Sequence, residues 1–309
     1  MASKQNINYN YNILMETAEQ IRNMLGREIN SINVERAVVG LFFSGVKLSN
    51  GEGGICLTPA KEIPEAVCCP SSLRAMPDSG KLAGKPVSEY IDNIYKKGPL
   101  QTALGIAVLN ALSATCWHRT PPAVYNLEFA DPVENKNIPI DKKVVVIGAL
   151  VPYIRILKRR GRHFHILEKD TRTLKADEMQ YYCPPEKADE CIASADLLII
   201  TGTTLINNTL EDILRLKRDG AEAVLVGPTA SMLPEAFFRR GINAIGGVIV
   251  NDPDTLLDTL SEGGSGYHFF GKSAERLIIF RDKFYLTRSE KTIENTEINN
   301  FIFSLGRYV

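Results

Sequence analysis

The chain has 309 residues, enough for about two domains of ordinary size. Lysine and arginine together number 36, as do aspartate and glutamate, so the formal net charge is zero. Nucleic acids and anionic membrane surfaces attract proteins with a basic excess, and we therefore expect neither as a partner. With 44% hydrophobic and 23% charged residues, the composition excludes disordered and collagen-like classes and indicates a compact soluble protein.

The first residues of the chain lack the basic stretch, apolar run and small-residue cleavage site of a secretory signal, so we expect a cytoplasmic protein. The six cysteines are then expected to be free thiols, because the cytoplasm keeps thiols reduced. An uncharged stretch over residues 98–117 is nearly long enough to span a bilayer. Polar side chains interrupt it, and we predict a buried helix instead.

Residues 1–138 are predicted to form an α+β domain that ends in a proline-rich connection. Helical patterns of apolar residues accompany two β-rich runs, which indicate an antiparallel hairpin. The last helical pattern is apolar on nearly all sides and must therefore be central to its domain. The predicted helices are 12–25, 86–97 and 99–116, the hairpin runs are 35–48 and 53–59, a further strand candidate is 65–70, and the connection is 119–139.

Residues 139–280 are predicted to form a Rossmann-like domain with a doubly wound parallel sheet. Short runs of Val, Ile and Leu alternate here with helical segments, which is typical of strands covered on both faces. Asp252 before Pro253, and Asn208 three residues before Glu211, are predicted helix caps. The predicted strands are KVVVIG, HFHILE, ADLLIITG, EAVLVGP, NAIGGVIV and RLIIF, the last ending at Phe280.

The turns that follow these strands supply the candidate site, because open parallel sheets bind ligands beyond the carboxyl ends of their strands. A dinucleotide site needs three glycines after its first strand, yet only Gly148 matches, and Leu150 and Tyr153 occupy the other positions. Glu168 lies twenty residues beyond Gly148, the distance at which an acid usually meets a ribose hydroxyl. Because this dinucleotide-binding motif is only partly present, a nucleotide-dependent enzyme is the second hypothesis.

The segment 201–209 is richer in polar groups. It places four hydroxyls, two amides and Gly202 between a buried strand and the start of a helix, where a carboxylate or phosphate would fit. Thr203, Thr204 and Asn207 are the predicted ligand contacts. The alternative is that these residues only cap the helix and close the turn.

Metal-binding motifs are weak throughout the sequence. It contains no C-x-x-C and no H-E-x-x-H, and it has only four histidines. Cys68, Cys69 and Cys116 with His118 are the softest donors, but we expect them to be core residues. The cofactor is therefore unknown, and a metal ion would be bound as a complex with a ligand.

Several stretches resemble a known family of uncharacterised bacterial and archaeal proteins, labelled as a heavy-metal-chelation domain. The similar stretches are ADLLIITGTTLINNTLEDIL, VLVGPTASMLPEAFFRRGINAIGGVIVNDPD, VVGLFFSGVKL and GPLQTALGIAVLNALSA. The resemblance implies an enolase N-terminal-like domain packed on the Rossmann-like domain, with a site in the cleft between them. Carried over to this chain, the matching positions are Asn110, Gly148, Pro152, Glu168, the segment from Thr201 to Asn207, and Gly227 with Pro228.

The first hypothesis is a protein that binds a small anionic or metal-chelating molecule in this interdomain cleft. Thr203 and Thr204 would hold the anionic group, and Asn110 and Asn207 would orient it. Glu168 would act as a general base or a hard metal ligand. A third hypothesis is a scaffold with no small-molecule role. The remaining predicted ligand-binding positions are Gly148, Pro152, Thr201, Gly202, Gly227, Pro228 and Thr229.

The extension over 281–309 yields the first testable prediction. Residues 289–305 carry an apolar stripe at helical spacing, which needs a surface to cover it, either on the first domain or on a second subunit. We favour a homodimer. Light scattering on a chain truncated after Phe280 should therefore report a monomer, and a dimer that persists unchanged would show that the extension is not the interface.

Overall fold

A computed structural model describes residues 12–62, 79–96, 98–130, 138 and 140–281. Three of the sequence predictions lie outside the described residues: the strand candidate 65–70, the core placement of Cys68 and Cys69, and the apolar stripe of the extension.

The first part of the chain is an α+β unit, as predicted. Its three strands form an antiparallel sheet in the order β1-β2-β3. The predicted first hairpin run is in fact two strands, because the chain turns after Gly40, whose N–H donates to the carbonyl of Phe43 at 3.1 Å. The likeness to an enolase N-terminal domain remains a prediction. The elements are α1 (Ile13–Leu25), β1 (Val34–Val39), β2 (Phe43–Leu48), β3 (Gly53–Leu57), α2 (Val87–Asp92) and α3 (Pro99–Arg119).

Helix α3 is the centre of this unit. Among the described residues it is the helix long and apolar enough to cross a membrane, but 94% of its most apolar window is buried inside the protein. It packs against β2, β3, α1 and α2. This burial confirms the prediction of a core helix and explains why the helix is apolar on nearly all sides.

Strand β3 lies directly on the backbone of α3. A Cβ atom at Gly54 would stand 2.1 Å from the carbonyl oxygen of Ala107 and 2.6 Å from the amide nitrogen of Ala111. No side chain fits in this gap, so the glycine sets the distance between strand and helix.

The second part of the chain contains a seven-stranded sheet in the order β4-β10-β9-β8-β7-β5-β6. Strands β5 to β9 are parallel, whereas β10 and β4 pair antiparallel at one side. The strands are β4 (Asn126–Glu128), β5 (Val144–Ile147), β6 (His165–Leu167), β7 (Leu197–Thr201), β8 (Glu222–Val226), β9 (Ala244–Val250) and β10 (Ala274–Phe280). The helices are α4 (Val151–Arg160), α5 (Ala188–Ser194), α6 (Thr203–Ile206), α7 (Leu210–Leu216), α8 (Glu235–Arg239), α9 (Pro253–Ser261) and α10 (Gly266–Phe269).

This architecture confirms the predicted α/β fold with a largely parallel sheet, but the last predicted strand, β10, pairs antiparallel. Strand β5 pairs with β6 on one side and with β7 on the other, so the chain reverses its direction of winding at β5. The segment predicted as a connection contributes β4, which pairs with β10.

The two predicted caps differ in outcome. The carboxylate of Asp252 accepts the N–H of Thr255 at 3.1 Å at the start of α9, as predicted. Asn208 does not cap α7, because the helix begins at Leu210 and Thr209 occupies the N-cap position. Glu211 instead accepts the N–H of Ile13 at 2.8 Å, which places a carboxylate at the N-terminus of α1.

The contact between β3 and α3 generates the second prediction. Gly54→Ala should lower the free energy of unfolding by about 3 kcal/mol, because backbone atoms of α3 would have to move. Gly80→Ala is the control, since its φ is 77° but no described atom lies within 4 Å of the added Cβ. It should cost about 1 kcal/mol. Urea denaturation measures both values, and equal losses would show that the strand is not held against the helix.

Candidate functional site

The candidate site begins where β5 ends, at the point where the strand order reverses. Gly148 follows β5 with a φ of 100°, a conformation that favours glycine. A Cβ atom there would also stand 2.8 Å from the methyl carbon of Thr201, the last residue of β7. The ends of β5 and β7 therefore touch, and the turns after them lie at the switch point, where open parallel sheets generally have a ligand-binding crevice.

Glu168 lies beside this first turn, just beyond β6. Its Oε2 accepts the N–H of Ala149 at 2.7 Å, and its Oε1 accepts the N–H of Asp170 at 2.9 Å. The carboxylate therefore fixes two turns to each other, a role that the sequence did not reveal.

Asp170 connects the same edge to the first domain. Its carboxylate contacts Arg172 and also Lys61, whose Nζ is 2.8 Å from Oδ2. These two cations hold the pKa of the Asp170 carboxyl well below its usual range. The Lys61 pair is solvent-exposed and therefore contributes little free energy, but it crosses the domain boundary.

The turn after β7 separates the predicted threonines into two groups. The hydroxyls of Thr201 and Thr203 lie 3.1 Å apart and both side chains are partly exposed. Thr204 is only 5% exposed, and its hydroxyl donates to the carbonyl of Thr201 at 2.7 Å. Thr204 thus closes the turn, as the alternative interpretation of this segment proposed, whereas Thr201 and Thr203 keep part of their surface exposed.

The turn after β8 forms the wall of the crevice. A Cβ atom at Gly202 would lie 3.1 Å from the Cβ of Thr229, so the second and third turns are in contact. Thr229 is 2% exposed, and its hydroxyl accepts the N–H of Leu57 in β3 at 3.1 Å. Thr229 therefore links the turn after β8 to β3 of the first part of the chain. Gly227 and Pro228 precede it in the same turn.

Asn110 reaches the same wall from α3. Its Nδ2 lies 2.8 Å from the carbonyl oxygen of Ile55, 3.2 Å from that of Pro228 and 3.3 Å from that of Thr229. Its Oδ1 is buried and has no hydrogen-bond partner among the described residues. The predicted orienting residue thus stands at the domain boundary, where it holds both sides together.

Asn207 ends α6, one turn beyond Thr203. Its N–H donates to the carbonyl of Thr203 at 3.2 Å, while its Oδ1 is buried with no partner in the described part of the chain. Tyr95 of the first domain donates its hydroxyl to the carbonyl of Leu205 and so holds this helix from the other side. Pro152 lies apart from this cluster, exposed at the start of α4.

The described residues do not form a metal centre of three or more side chains. No such group of His, Cys, Asp and Glu exists within them. Burial raises the pKa of the Cys56 thiol to about 12, and burial with the nearby Glu235 does the same for Cys116. Cys116 is a core residue, as predicted, and His118 pairs with Glu52. These thiols therefore stay protonated at neutral pH.

The fold is mixed α/β, with a Rossmann-like, mostly parallel sheet packed against an α+β unit. Two family models match the chain, one over residues 131–279 and one over residues 22–113, and both are described as "Putative heavy-metal chelation". These two matches confirm the resemblance found in the sequence.

The relatives are themselves uncharacterised. An uncharacterised protein of Methanocaldococcus jannaschii is 28% identical over 194 residues, which cover 61% of this chain and 70% of the relative. Crystal structures of two proteins of unknown function from the DUF364 family are similar. The one from Pyrococcus horikoshii has a TM-score of 0.67 at 18% identity and covers 86% of this chain and 98% of its own. The one from Desulfitobacterium hafniense has a TM-score of 0.62 at 18% identity, with 86% and 99% covered. At this identity the likeness shows the fold alone.

The contact between Gly148 and Thr201 generates the third prediction. Gly148→Ala should lower the free energy of unfolding by about 3 kcal/mol, from strain at positive φ and overlap with the Thr201 methyl. Thr201→Ser removes that methyl and should recover part of the loss in the double variant. Gly161→Ala, at a φ of 71° with no described atom within 4 Å of the added Cβ, is the control for strain alone. Strictly additive effects of the two substitutions in urea denaturation would contradict the contact.

Proposed function

We propose that the protein binds a small anionic or metal-chelating molecule in the crevice at the carboxyl ends of β5, β7 and β8. The observation that carries this proposal is the pair of partly exposed hydroxyls of Thr201 and Thr203, which stands at the switch point beside Gly148. Ligands of open parallel sheets bind at this point of the fold.

The hydroxyl pair has the chemistry to hold an anionic oxygen. Two hydroxyls carry two hydrogens, and the bond between Thr201 and Thr203 uses one of them, so the other can donate to a ligand. Helix α4 begins at the same edge, and its N-terminus attracts negative charge through the helix dipole. The N–H groups of Leu150 and Val151 already donate to carbonyls of the turn, at 2.8 and 3.0 Å. Helix α4 therefore attracts an anion mainly through its dipole and not through free N–H groups.

Asn207 indicates a second property of the ligand. A buried amide oxygen without a partner costs about 1 to 3 kcal/mol, so a group that donates to the Oδ1 of Asn207 would be favoured. A molecule with both an anionic oxygen and a donor satisfies the two ends of α6. Hydroxycarboxylates and aminocarboxylates have this combination, and the same groups chelate metal ions.

The metal, where one is involved, would arrive as part of such a complex. The family description supports a connection with heavy metals. The described side chains do not supply three ligands, so the chelating oxygens of the small molecule would hold the ion. Glu168 keeps free lone pairs beyond its two backbone bonds, and we propose it as the group that takes up a proton or contacts a hard cation.

A dinucleotide cofactor is less well supported. The Glu168 carboxylate already accepts two backbone N–H groups, and Leu150 stands where a second glycine would let a pyrophosphate approach.

Thermal unfolding with added citrate, zinc citrate, inorganic phosphate or NAD tests the function and gives the fourth prediction. A ligand at about 100 times its Kd adds about 2.7 kcal/mol of stability, which raises Tm by several degrees. We expect this rise with citrate or its zinc complex. A rise with NAD alone would favour the nucleotide hypothesis, and no rise with any of the four probes would overturn the proposal.

Matched substitutions place the ligand. Thr203→Val keeps the shape of the side chain but removes the hydroxyl, and it should abolish most of the citrate-dependent rise in Tm. Thr259→Val makes the same change on the exposed face of α9, far along the chain from the crevice turns, and should leave the rise intact. An equal rise in both variants would show that the ligand binds elsewhere.

A further inference from the structure

Two residues other than glycine have a positive φ in the described part of the chain, and both lie next to α6. Asn208 lies two residues beyond α6 with a φ of 52°, and Tyr95 contacts this helix from the first part of the chain with a φ of 62°. Asparagine tolerates this left-handed conformation, whereas an aromatic residue there is unusual and strained. Other contacts must therefore hold the backbone of Tyr95 in place.

The start of α3 holds this backbone. The N–H of Tyr95 donates to the hydroxyl of Thr102 at 3.1 Å, and this hydroxyl donates to the carbonyl of Gly98 at 3.0 Å. Thr102 is buried, so water competes little for its hydroxyl. The strained residue is thus bound to a fixed point on the central helix.

The side chain of Tyr95 extends from this point to α6. Its ring packs against the buried core, and its hydroxyl donates to the carbonyl of Leu205. Burial raises the pKa of the hydroxyl far above its usual range, so it keeps its proton and remains a donor. Tyr95 therefore connects the start of α3 to α6 through one backbone bond and one side-chain bond.

Helix α6 depends on such outside contacts because it is very short. It has four residues, Thr203–Ile206, and a helix of this length is not stable through its own hydrogen bonds. It also carries both polar groups of the candidate site, which are the Thr203 hydroxyl at its start and the Asn207 amide oxygen just beyond its end. The position of α6 therefore decides where these two groups stand.

We propose that Tyr95 is a positioning residue for the candidate site, and that it makes the site selective for molecules with both an anionic oxygen and a hydrogen-bond donor. Its strained backbone directs the hydroxyl to Leu205, and the hydroxyl holds α6 so that Thr203 and Asn207 can contact one molecule together. Tyr95 acts only through α6. This inference rests on the proposed function, because the selectivity requires a crevice ligand that contacts both ends of α6.

Amide hydrogen exchange without any ligand tests whether Tyr95 holds α6. Tyr95→Phe keeps the ring but removes the hydroxyl. The N–H of Thr209, which bonds to Thr204 in α6 at 3.0 Å, should then exchange about 10-fold faster. The N–H of Gly227, which bonds to Gly246 at 2.8 Å, should keep its rate. An unchanged rate at Thr209, or an equal rise at Gly227, would overturn the proposal.

Tyr125→Phe is the matched control for the loss of a buried hydroxyl. Tyr125 belongs to the same core, and its hydroxyl accepts the indole N–H of Trp117 at 2.7 Å near the opposite end of α3. This substitution should leave exchange at Thr209 unchanged. An acceleration equal to that of Tyr95→Phe would show that any lost hydroxyl in the core loosens α6, and would refute the positioning role.

Substitutions of Thr102 test whether the strained backbone directs the Tyr95 hydroxyl. Thr102→Val has nearly the same shape but removes the acceptor for the Tyr95 N–H, so exchange at Thr209 should accelerate as it does in Tyr95→Phe. Thr102→Ser keeps the hydroxyl and should retain the wild-type rate. Equal rates in the valine and serine variants would contradict this step.

Calorimetric titration with citrate and with tricarballylate, which is citrate without its hydroxyl group, tests the selectivity. The wild type should bind citrate about 10-fold more tightly, because the citrate hydroxyl can donate to Asn207. Tyr95→Phe should reduce this ratio to near one, whereas Tyr125→Phe should retain it. If Tyr95→Phe lowers both affinities equally, Tyr95 supports the fold alone and the proposal is wrong.

The titrations also separate this inference from the proposed function. A wild type that binds neither compound, with or without zinc, would overturn the hydroxycarboxylate ligand of the proposed function and the selectivity that rests on it. A wild type that prefers citrate, with the same preference in Tyr95→Phe, would retain the proposed function and overturn the role of Tyr95.

Discussion

The buried amide of Asn110 is the interaction on which the crevice depends. It stands on α3 and bonds to a carbonyl of β3 on one side and to the turn after β8 on the other. Loss of these Nδ2 bonds would leave buried carbonyl oxygens without a donor, and an unpaired buried group costs about 1 to 3 kcal/mol. Gly54 allows β3 to lie directly on α3, and the Asn110 amide holds the turn after β8 against both. Thr229 adds a second bond at the same boundary.

The two domains also share a hydrophobic core. Successive residues of the parallel strands point to opposite faces, and Val145 and Ile147 join the same buried cluster as the interior of α3. Val144 and Val146 face a separate cluster on the other side of the sheet. The first domain therefore serves as the covering layer of one sheet face, which a parallel sheet requires.

The sequence predicted those features that repeat along the chain. Apolar runs identified the parallel strands, and the all-round apolar pattern identified α3 as buried. Strand β4 was missed because three residues among prolines are too few to show a periodicity. The prediction of a capping pair between Asn208 and Glu211 was wrong. Their local spacing does not reveal that Glu211 bonds to Ile13, which is far away in sequence.

The candidate site was likewise predicted only in part from the sequence. Gly148, Thr201 and Thr229 each lie at or just after the carboxyl end of a predicted parallel strand, so the sequence is enough to bring them to one edge of the sheet. Ligands of parallel sheets bind at that edge. No local pattern could tell Thr203 from its neighbour Thr204, because burial alone separates the exposed hydroxyl from the one that closes the turn. The pairing of Glu168 with Ala149 depends on how β5 and β6 align, and the sequence does not encode that alignment in any short motif.

The chain of contacts from Lys61 through Asp170 and Glu168 to Ala149 has links of unequal strength. Its outer link is an exposed ion pair that salt screens readily, whereas its inner links are short bonds between a carboxylate and backbone amides. The wall, by contrast, is tied to the first domain through buried groups. Added salt should therefore weaken the contact of the Asp170 side with the first part of the chain and leave the contacts of Asn110 and Thr229 largely unchanged.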